Sequence, residues 1–447
     1  MGMDVLLVGG DARTHALGWK IAQSPLVGKV LFANGNAGTE ELGENLDIEL
    51  TPKGVADCVE ERDIGLTVVG PEKLICEGVI DELNFRDLAG YGPSRMAAEL
   101  EGSKVWAAGF LQRHRVPAPI TLGVYSNGGN NGYVNYKGGM DDAIEHINGL
   151  FDFVRMVVKA DGLCEGKGVY VPDTRQEALE AVYACMRDKV FGKAGETIIL
   201  QELLEGDETS HFAITDGKHS RRLASSEDYK RVGEGDTGPN TGGMGCVSPS
   251  LVVSDVDVAE IEESIVLPTI SGMAAEGRTY RGTLYGGFMK TQKGKKKVLE
   301  FNARFGDPET EVLMPRLKSD IVPYLHAAAV GSLAPLPEPE WDPRYCVYIV
   351  LASGWYPGKK PDGYEVPIKG LDEVSRMKDT YVFHAGTKKG KDGIYATGGR
   401  VVGVAALADG LLDAQCMAIE AADRIDYPRK KFRRDIGHRS MRILQQR

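Results

Sequence analysis

The chain has 447 residues, 42% hydrophobic and 26% charged, which predicts a folded protein of about three domains able to bury a sizeable core. A net charge of −11 argues against nucleic acid or a membrane surface as the main partner, although local basic patches can still draw anionic substrates. Seven scattered cysteines without a C-x-x-C spacing, no apolar run near the roughly 18 residues of a membrane span, and a first stretch that runs straight into a strand together predict a cytoplasmic protein with free thiols.

Asp4 to Gly9 is a continuous apolar run, followed by a helical pattern from Thr14 to Ser24. Val30 to Ala33, Leu46 to Leu50 and Leu66 to Gly70 read as further short buried strands alternating with helices. That alternation predicts an α/β domain with a parallel sheet, whose ligands bind at the carboxyl ends of the strands. Three loops belong there: Gly9 to Arg13, then Gly35, Asn36, Ala37, Gly38 and Thr39, then Gly70, Pro71 and Glu72. Their small residues let backbone amides approach a ligand, and Arg13 can neutralise an anion. Each loop alone also suits an ordinary strand-to-helix turn. The first lacks the G-x-G-x-x-G spacing of a dinucleotide site.

Ser94 to Arg113 reads as one helix carrying Glu101-Gly102-Ser103-Lys104, and the proline pair at 117 and 119 opens a new unit. Tyr125 to Gly139, rich in Asn, Gly and Tyr, reads as an exposed loop or irregular hairpin without assignable chemistry. Lys159 ends a strand and precedes a glycine-rich loop, Gly162 to Gly168 with Gly166 and Lys167 inside it, which can fold over phosphates. It fails the P-loop pattern because no Ser or Thr follows the lysine. A lone lysine such as Lys104 or Lys159 is more commonly a snorkelling side chain than a ligand, and Cys164 suits a small filler. A helix is expected from Thr174 to Met186, and the strand Thr197 to Leu200 leads into a linker, Gln201 to Gly206, able to offer backbone groups to a base edge and a carboxylate, Glu208, to ribose hydroxyls.

Thr209 to Thr215 ends in a hairpin signal at Asp216-Gly217, and Ser225 to Gly245 reads as a long loop without secondary structure; such loops are usually functional or disordered, and the lack of low-complexity bias here favours function. A helix follows from Val256 to Glu276 and a strand from Gly282 to Thr291. The strand that pairs with it, Val298 to Asn302, projects Glu300 and Asn302 from one face. One carboxylate beside one carboxamide is a hard oxygen pair suited to Mg²⁺ held jointly with phosphates, and Arg304 just beyond adds a guanidinium fork. The same spacing also suits a plain strand end with a polar turn. Asp320 to Val330 is helical, and after a proline-rich boundary come strands at Tyr345 to Ala352, Thr380 to His384 and Gly399 to Ala406 and a helix from Leu411 to Arg424. His384, Gly386, Thr387 and Lys388 form a polar strand-end loop; the basic tail Arg429 to Arg439 reads as a solvated surface run. No histidine pair has metal-ligand spacing.

The segments GNAGT (35–39), VGPE (69–72), LEGSK (100–104), KADGLCEGKGV (159–169), DTGPNTGGMG (236–245), EFNARFGDPET (300–310), FHAGTK (383–388) and RRDIG (433–437) together resemble the ATP-grasp enzymes, and within them the phosphoribosylamine–glycine ligase family, over nearly the whole chain. The resemblance implies α/β and α+β architecture: an N-terminal parallel α/β pre-ATP-grasp domain (1–103), an ATP-grasp domain (104–337) with an inserted lid (about 120–196), and a small mixed α/β C-terminal domain (338–447). It implies ATP with Mg²⁺ or Mn²⁺ as cofactors and glycine and 5-phosphoribosylamine as substrates, joined through glycyl phosphate. No nucleic acid, membrane or obligate protein partner is expected. Glu300 and Asn302 would hold the metal; Lys104, Lys159 and Arg304 would neutralise phosphates under the flap Gly162 to Gly168. Glu202 and Leu204, by main chain, and Glu208 would hold adenosine. Asp228 and Lys230 would take part in catalysis, and Asn240, Thr241, Gly242 and Gly243 would position substrates with the N-terminal and FHAGTK loops. The chain departs from the family at Asp11, Ala12 and Thr14 in the first loop, at Tyr229 where a histidine is common, and in a longer Tyr125 to Gly139 segment. Another ATP-grasp ligase or carboxylase would lack the GNAGT, DTGPNTGGMG and FHAGTK loops; a non-catalytic nucleotide-binding protein would be favoured by loss of Glu300 or Asn302.

Overall fold

In the computed structural model residues 2–150, 154–164 and 167–446 are described; Gly166, an expected phosphate-loop position, lies outside them. The short apolar runs at the start form an all-parallel sheet in the order Glu44–Leu46, Val27–Ala33, Met3–Val8, Leu66–Val69, Gly90–Tyr91. This is the expected doubly wound arrangement, and the three small-residue loops leave the same edge of it. The strand expected at Leu46 to Leu50 lies earlier, because Thr51 caps the helix Pro52–Glu61 and the chain must turn before it. Asp11 likewise caps its helix at Ala12–Ile21, ahead of the expected start.

The single helix expected over Ser94 to Arg113 is two, Arg95–Gly102 and Lys104–Arg113. Ser103 is extended between them, and its hydroxyl accepts the Trp106 N–H at 3.0 Å, which starts the second helix at Lys104.

Two mainly antiparallel sheets follow. One runs Tyr136–Gly138, Thr121–Ser126, Thr197–Glu202, Met156–Ala160, Val169–Tyr170; the other runs Ser220–Arg222, Gly206–Thr215, Gly282–Thr291, Lys296–Asn302. Their edges are tied where Val298 donates to the Pro117 carbonyl at 2.9 Å and the Lys297 ammonium meets the Glu202 carboxylate. The segment Tyr125 to Gly139 is neither open loop nor hairpin. It starts inside one strand and ends in another that runs parallel to it, with Val124 donating to Asn135 at 2.9 Å. The helix Arg175–Val182 continues through a wider π-turn to Arg187, and a similar turn links Asp255–Ile261 to Leu267–Ala275.

The last sheet is antiparallel in the order Glu227–Asp228, Gly245–Ser248, Tyr345–Ala352, Arg400–Ala408, Thr380–His384. Ser225 to Gly245 is therefore not structureless: its two ends enter this sheet, and Arg231–Gly233 pairs with Thr237–Asn240 between them. The helix Leu411–Arg424 buries Leu411, Ala414, Ala418 and Ala421 beneath it. The basic tail is not a solvated run either. Arg433 is only 1% exposed, because Asp236 and Asp435 satisfy its guanidinium at 2.9 and 2.7 Å. Among the described residues no helix is long and apolar enough to cross a membrane.

Candidate active site

The face of the strand Lys296–Asn302 is set by a register shift. Gly287 pairs with Glu300 but Phe288 pairs with Val298, so Leu299 is the extra residue of a bulge. Beyond it Phe301 points into the core, while Glu300 and Asn302 share the opposite, half-buried face. Glu300 meets the Lys230 ammonium at 3.8 Å, and Lys230 also faces Glu208 at 3.6 Å. The Asn302 carboxamide takes no part in the side-chain hydrogen bonds found among the described residues. Hard oxygens without short protein partners are the donor set a small divalent cation shared with phosphates requires.

Three ammonium groups converge on this strand. Lys159 is buried and donates to the Leu299 carbonyl at 3.1 Å, while Lys104 reaches over the glycine-rich loop to the Gly162 carbonyl at 3.0 Å. Burial pushes the Lys159 ammonium down to about 8, against the pull of Glu300 and with repulsion from Lys104 and Lys230. Burial also opposes charge on Lys230, yet Glu208, Glu300 and Asp228 raise it well above the usual lysine range. Glu300 in turn is held below its ordinary value: Lys230, Lys159 and Lys104 outweigh its burial. Asp161 fastens the start of the loop, accepting from Ser103 Oγ and the Val105 N–H at 2.8 Å each. A Cβ at Gly162 would lie 2.7 Å from the Ala194 side chain, and one at Gly168 2.7 Å from Cys164, so both glycines answer to close approach. Lys167 is exposed.

The linker expected to hold adenosine joins the two sheets. Glu202 donates its N–H to the Ile120 carbonyl at 2.9 Å, and its carboxylate takes the Ile120 N–H and Lys297. That amide is thus already used, while the main chain of half-buried Leu204 is not.

Arg304 is turned toward the N-terminal domain. It lies 3.3 Å from Glu72 and 3.6 Å from Glu101, and Glu101 also accepts the Ala303 N–H at 2.6 Å. Glu101 and Glu72 are both buried or half-buried, and Arg304 holds Glu72 below the carboxylate range despite that burial. Arg13 is not a free cation: it pairs with Asp11 and donates to the Phe305 carbonyl at 2.9 Å. Asn36 stitches the crevice, donating to the His384 carbonyl at 2.7 Å and the Gly10 carbonyl at 3.1 Å and accepting from Gly38 and Thr39. The His384 N–H donates to His15 Nδ1 at 2.8 Å, and Thr387 lies 3.1 Å from His384 Nδ1. Burial drives His15 down to about 3, helped by His384, and His384 down to about 4. A Cβ on Gly38 would be 2.3 Å from the His15 ring, on Gly35 2.2 Å from Asn45 and on Gly386 2.4 Å from the Gly398 backbone, so these glycines are packing requirements. Ala37 is buried, Pro71 caps a short helix, Gly70 donates to the Val8 carbonyl, and Lys388 is exposed on an outer strand.

The loop from Asp228 to Gly245 closes the remaining side. Burial and the neighbouring Glu309 carboxylate push Asp228 up to about 8. Thr241 is held by two bonds to the Lys230 carbonyl, both at 2.8 Å, and Gly242 lies between the Tyr356 hydroxyl and Arg400. Asn240 pairs with Arg231 across the small hairpin, and Gly243 has φ +108° with Pro308 where a Cβ would be. Sequence reasoning missed Glu101, Glu309 and Arg400. Glu101 and Glu309 lie in motifs it quoted, but only their tertiary neighbours, Arg304 and Asp228, reveal their parts.

The N domain of phosphoribosylglycinamide synthetase matches residues 3–101, its ATP-grasp (A) domain residues 102–310 and its C domain residues 346–439. The chain is 42% identical over 443 residues to phosphoribosylamine–glycine ligase of Yersinia pestis, covering 98% of this chain and 99% of that one. It is 41% identical to the Haemophilus influenzae enzyme of the same name, with the same coverage. The crystal structure of phosphoribosylamine–glycine ligase from Thermotoga maritima superposes with a TM-score of 0.80 at 29% identity, covering 97% of this chain and all of that one. With an ATP-grasp cleft lined by three lysines and family likeness along its whole length, the chain belongs to the phosphoribosylglycinamide synthetase family of ATP-dependent carbon–nitrogen ligases.

Proposed function

We propose that this chain joins glycine to 5-phospho-D-ribosylamine, giving 5'-phosphoribosylglycinamide, ADP and phosphate, through a glycyl phosphate intermediate. The observation that carries the reading is the convergence of Lys104, Lys159 and Lys230 on a strand face presenting Glu300 and Asn302. Glu300 and Asn302 would hold Mg²⁺ or Mn²⁺, which when bound supplies Lewis-acid neutralisation of the phosphates. The lysines would align the triphosphate, with the main chain of Leu204 toward the base and Glu208 toward the ribose. A glycine carboxylate oxygen attacks the γ-phosphorus as the bond to ADP breaks. The amine of phosphoribosylamine then attacks the acyl carbon, phosphate leaves, and the amine loses a proton. Asp228, whose carboxyl is pushed up to about 8 by burial and Glu309, would receive that proton in its ionised form. Arg304 would stabilise charge on the transferring group, and the loop Gly162 to Gly168 would exclude water from the acyl phosphate. The sugar phosphate and glycine would lie between the N-terminal loops, Asn240 to Gly243 and the His384 to Lys388 loop.

We divide the chain at 1–103, 104–337 and 338–447, in keeping with family matches at 3–101, 102–310 and 346–439, and assign the lid to about 120–196, where the sheet from Thr121 to Glu202 lies. The test is ADP release with MgATP, glycine and freshly generated phosphoribosylamine, against mixtures lacking each. Release that needs all three, with phosphoribosylglycinamide formed, is expected; turnover indifferent to glycine would point to a different carboxylate.

A further inference from the structure

The loop between Asp228 and Gly245 carries Lys230, yet much of what holds it comes from about 200 residues further along the chain. Arg433 Nη1 donates to the Arg231 carbonyl and to Asp236, each at 2.9 Å. The Arg434 N–H donates to Glu234 at 3.0 Å, and Asp435 accepts the Gly235 N–H at 2.8 Å. His438 lies 3.3 Å from both Asp236 and Asp435. Closer to the reacting centre, Arg439 donates to the Asp228 carbonyl and stacks its guanidinium 4.2 Å from the ring centroid of Tyr229, which Arg433 approaches at 5.4 Å from another side. Ser440 donates to Glu227, which also accepts the Leu251 N–H at 3.1 Å.

Tyr229 is the pivot. Its side chain is fully buried, its hydroxyl reaches Glu227 at 3.3 Å, and its N–H and C=O bond Gly245 and Met244 across the loop. One residue before it stands Asp228 and one after it Lys230, so a backbone shift at Tyr229 displaces both. The cation–π contact and the charge-assisted bond to a carbonyl both favour the one loop conformation that makes them.

We propose that Arg439, acting through Tyr229 and the Asp228 carbonyl, is a positioning residue that sets Lys230 against Glu300 and Glu208, with Arg433 and Asp435 holding the far end of the same loop. Among the described residues Arg439 makes its contacts with Tyr229 and the Asp228 carbonyl and with none of the groups assigned to ATP. The inference rests on the ligase reading for its kinetic consequence, but not for its structural one.

The experiment compares wild type with Arg439→Met and Arg439→Lys by steady-state kinetics, thermal melting and hydrogen exchange of the free protein. Arg439→Met is expected to lower kcat by roughly 30-fold or more with KM for MgATP within about twofold, and Arg439→Lys to recover several-fold. Amides of residues 229–244 are expected to exchange at least about tenfold faster in Arg439→Met, with the rest of the chain unchanged. Unchanged exchange in this loop overturns the proposal whatever the reaction proves to be. A kcat within threefold of wild type, or a loss matched by an equal rise in KM for MgATP, overturns the kinetic link. If Arg439→Met does not fold, Arg439→Lys and Asp435→Asn carry the same two readouts. Wild-type protein that makes no phosphoribosylglycinamide sinks the ligase reading and leaves the exchange result to judge the clamp.

Discussion

Lys104 and Lys159 each rest on one backbone carbonyl, at 3.0 and 3.1 Å, and Lys230 meets its carboxylates only at 3.6 and 3.8 Å. Across the cleft, Asn36 makes four bonds of 2.7–3.1 Å, Arg13 is closed by Asp11 and Phe305, and His15 receives the His384 amide. Both sets are polar residues of the loops and strands that the sequence singles out. The difference separates two kinds of polar residue: those loosely held, which the proposed function gives to a ligand, and those mutually satisfied, which build the junction between the N-terminal loops and the last sheet. An unsatisfied buried charge is costly, so loosely held groups point to a partner that arrives later.

Removing one group from each wall should have opposite readouts. The largest effect is expected at Glu300→Ala: turnover falls by more than about 10³-fold, roughly 4 kcal/mol of transition-state stabilisation, while the melting temperature holds. Near wild-type turnover there would remove Glu300 from the metal site. On the other wall, Asn36→Ala is expected to cost about 2–4 kcal/mol in urea unfolding, because it strips partners from the buried carbonyl of His384 and the Gly38 and Thr39 amides. Calorimetric MgATP affinity should stay within a few-fold.

Acid sharpens the contrast. His15 and His384 are held neutral in the fold, at about 3 and 4, against 6.5 when unfolded. The unfolded chain therefore binds more protons below pH 6.5, so their stabilisation is complete above that value and lost as pH falls. Each adds a slope approaching about 1.4 kcal/mol per pH unit between roughly pH 6 and 4, and His15→Phe should flatten the profile in denaturant midpoints across that window. The smallest effect is expected at Asp11→Ala, which removes a helix cap and the Arg13 pair and should lower stability by about 1 kcal/mol in the same titration at pH 7.

What the sequence made legible follows from local physics. Apolar runs bounded by glycine marked the parallel strands, and the two-residue spacing of Glu300 and Asn302 marked the face they share, even though a bulge lies just before it. What it hid depends on distant partners. The charged stretch around Arg433 reads as surface because its counterions, Asp236 above all, are far away in sequence. The end of a helix at Gly102 escaped because helical apolar spacing runs on from Leu100 through Val105 and Phe110, and only Gly102 and the Ser103 cap divide it. Ser225 to Gly245 looked unstructured because its short, glycine-rich strands carry little hydrophobic pattern, and the strand that anchors it, Gly245–Ser248, finds its outer partner only at Tyr345–Ala352.

That last pairing bears on how the molecule is made. The strand Gly245–Ser248 has one neighbour in Glu227–Asp228 and the other in Tyr345–Ala352, which the ribosome delivers later. Until then the floor beneath Asp228 and Lys230 is an open edge, prone to pair with whatever strand it meets. The nascent chain can complete its first parallel sheet early, but the strand that carries Asp228 is framed only after the last sheet closes. A chaperone or a slow-translating stretch covering that interval would protect function more than it protects the N-terminal fold.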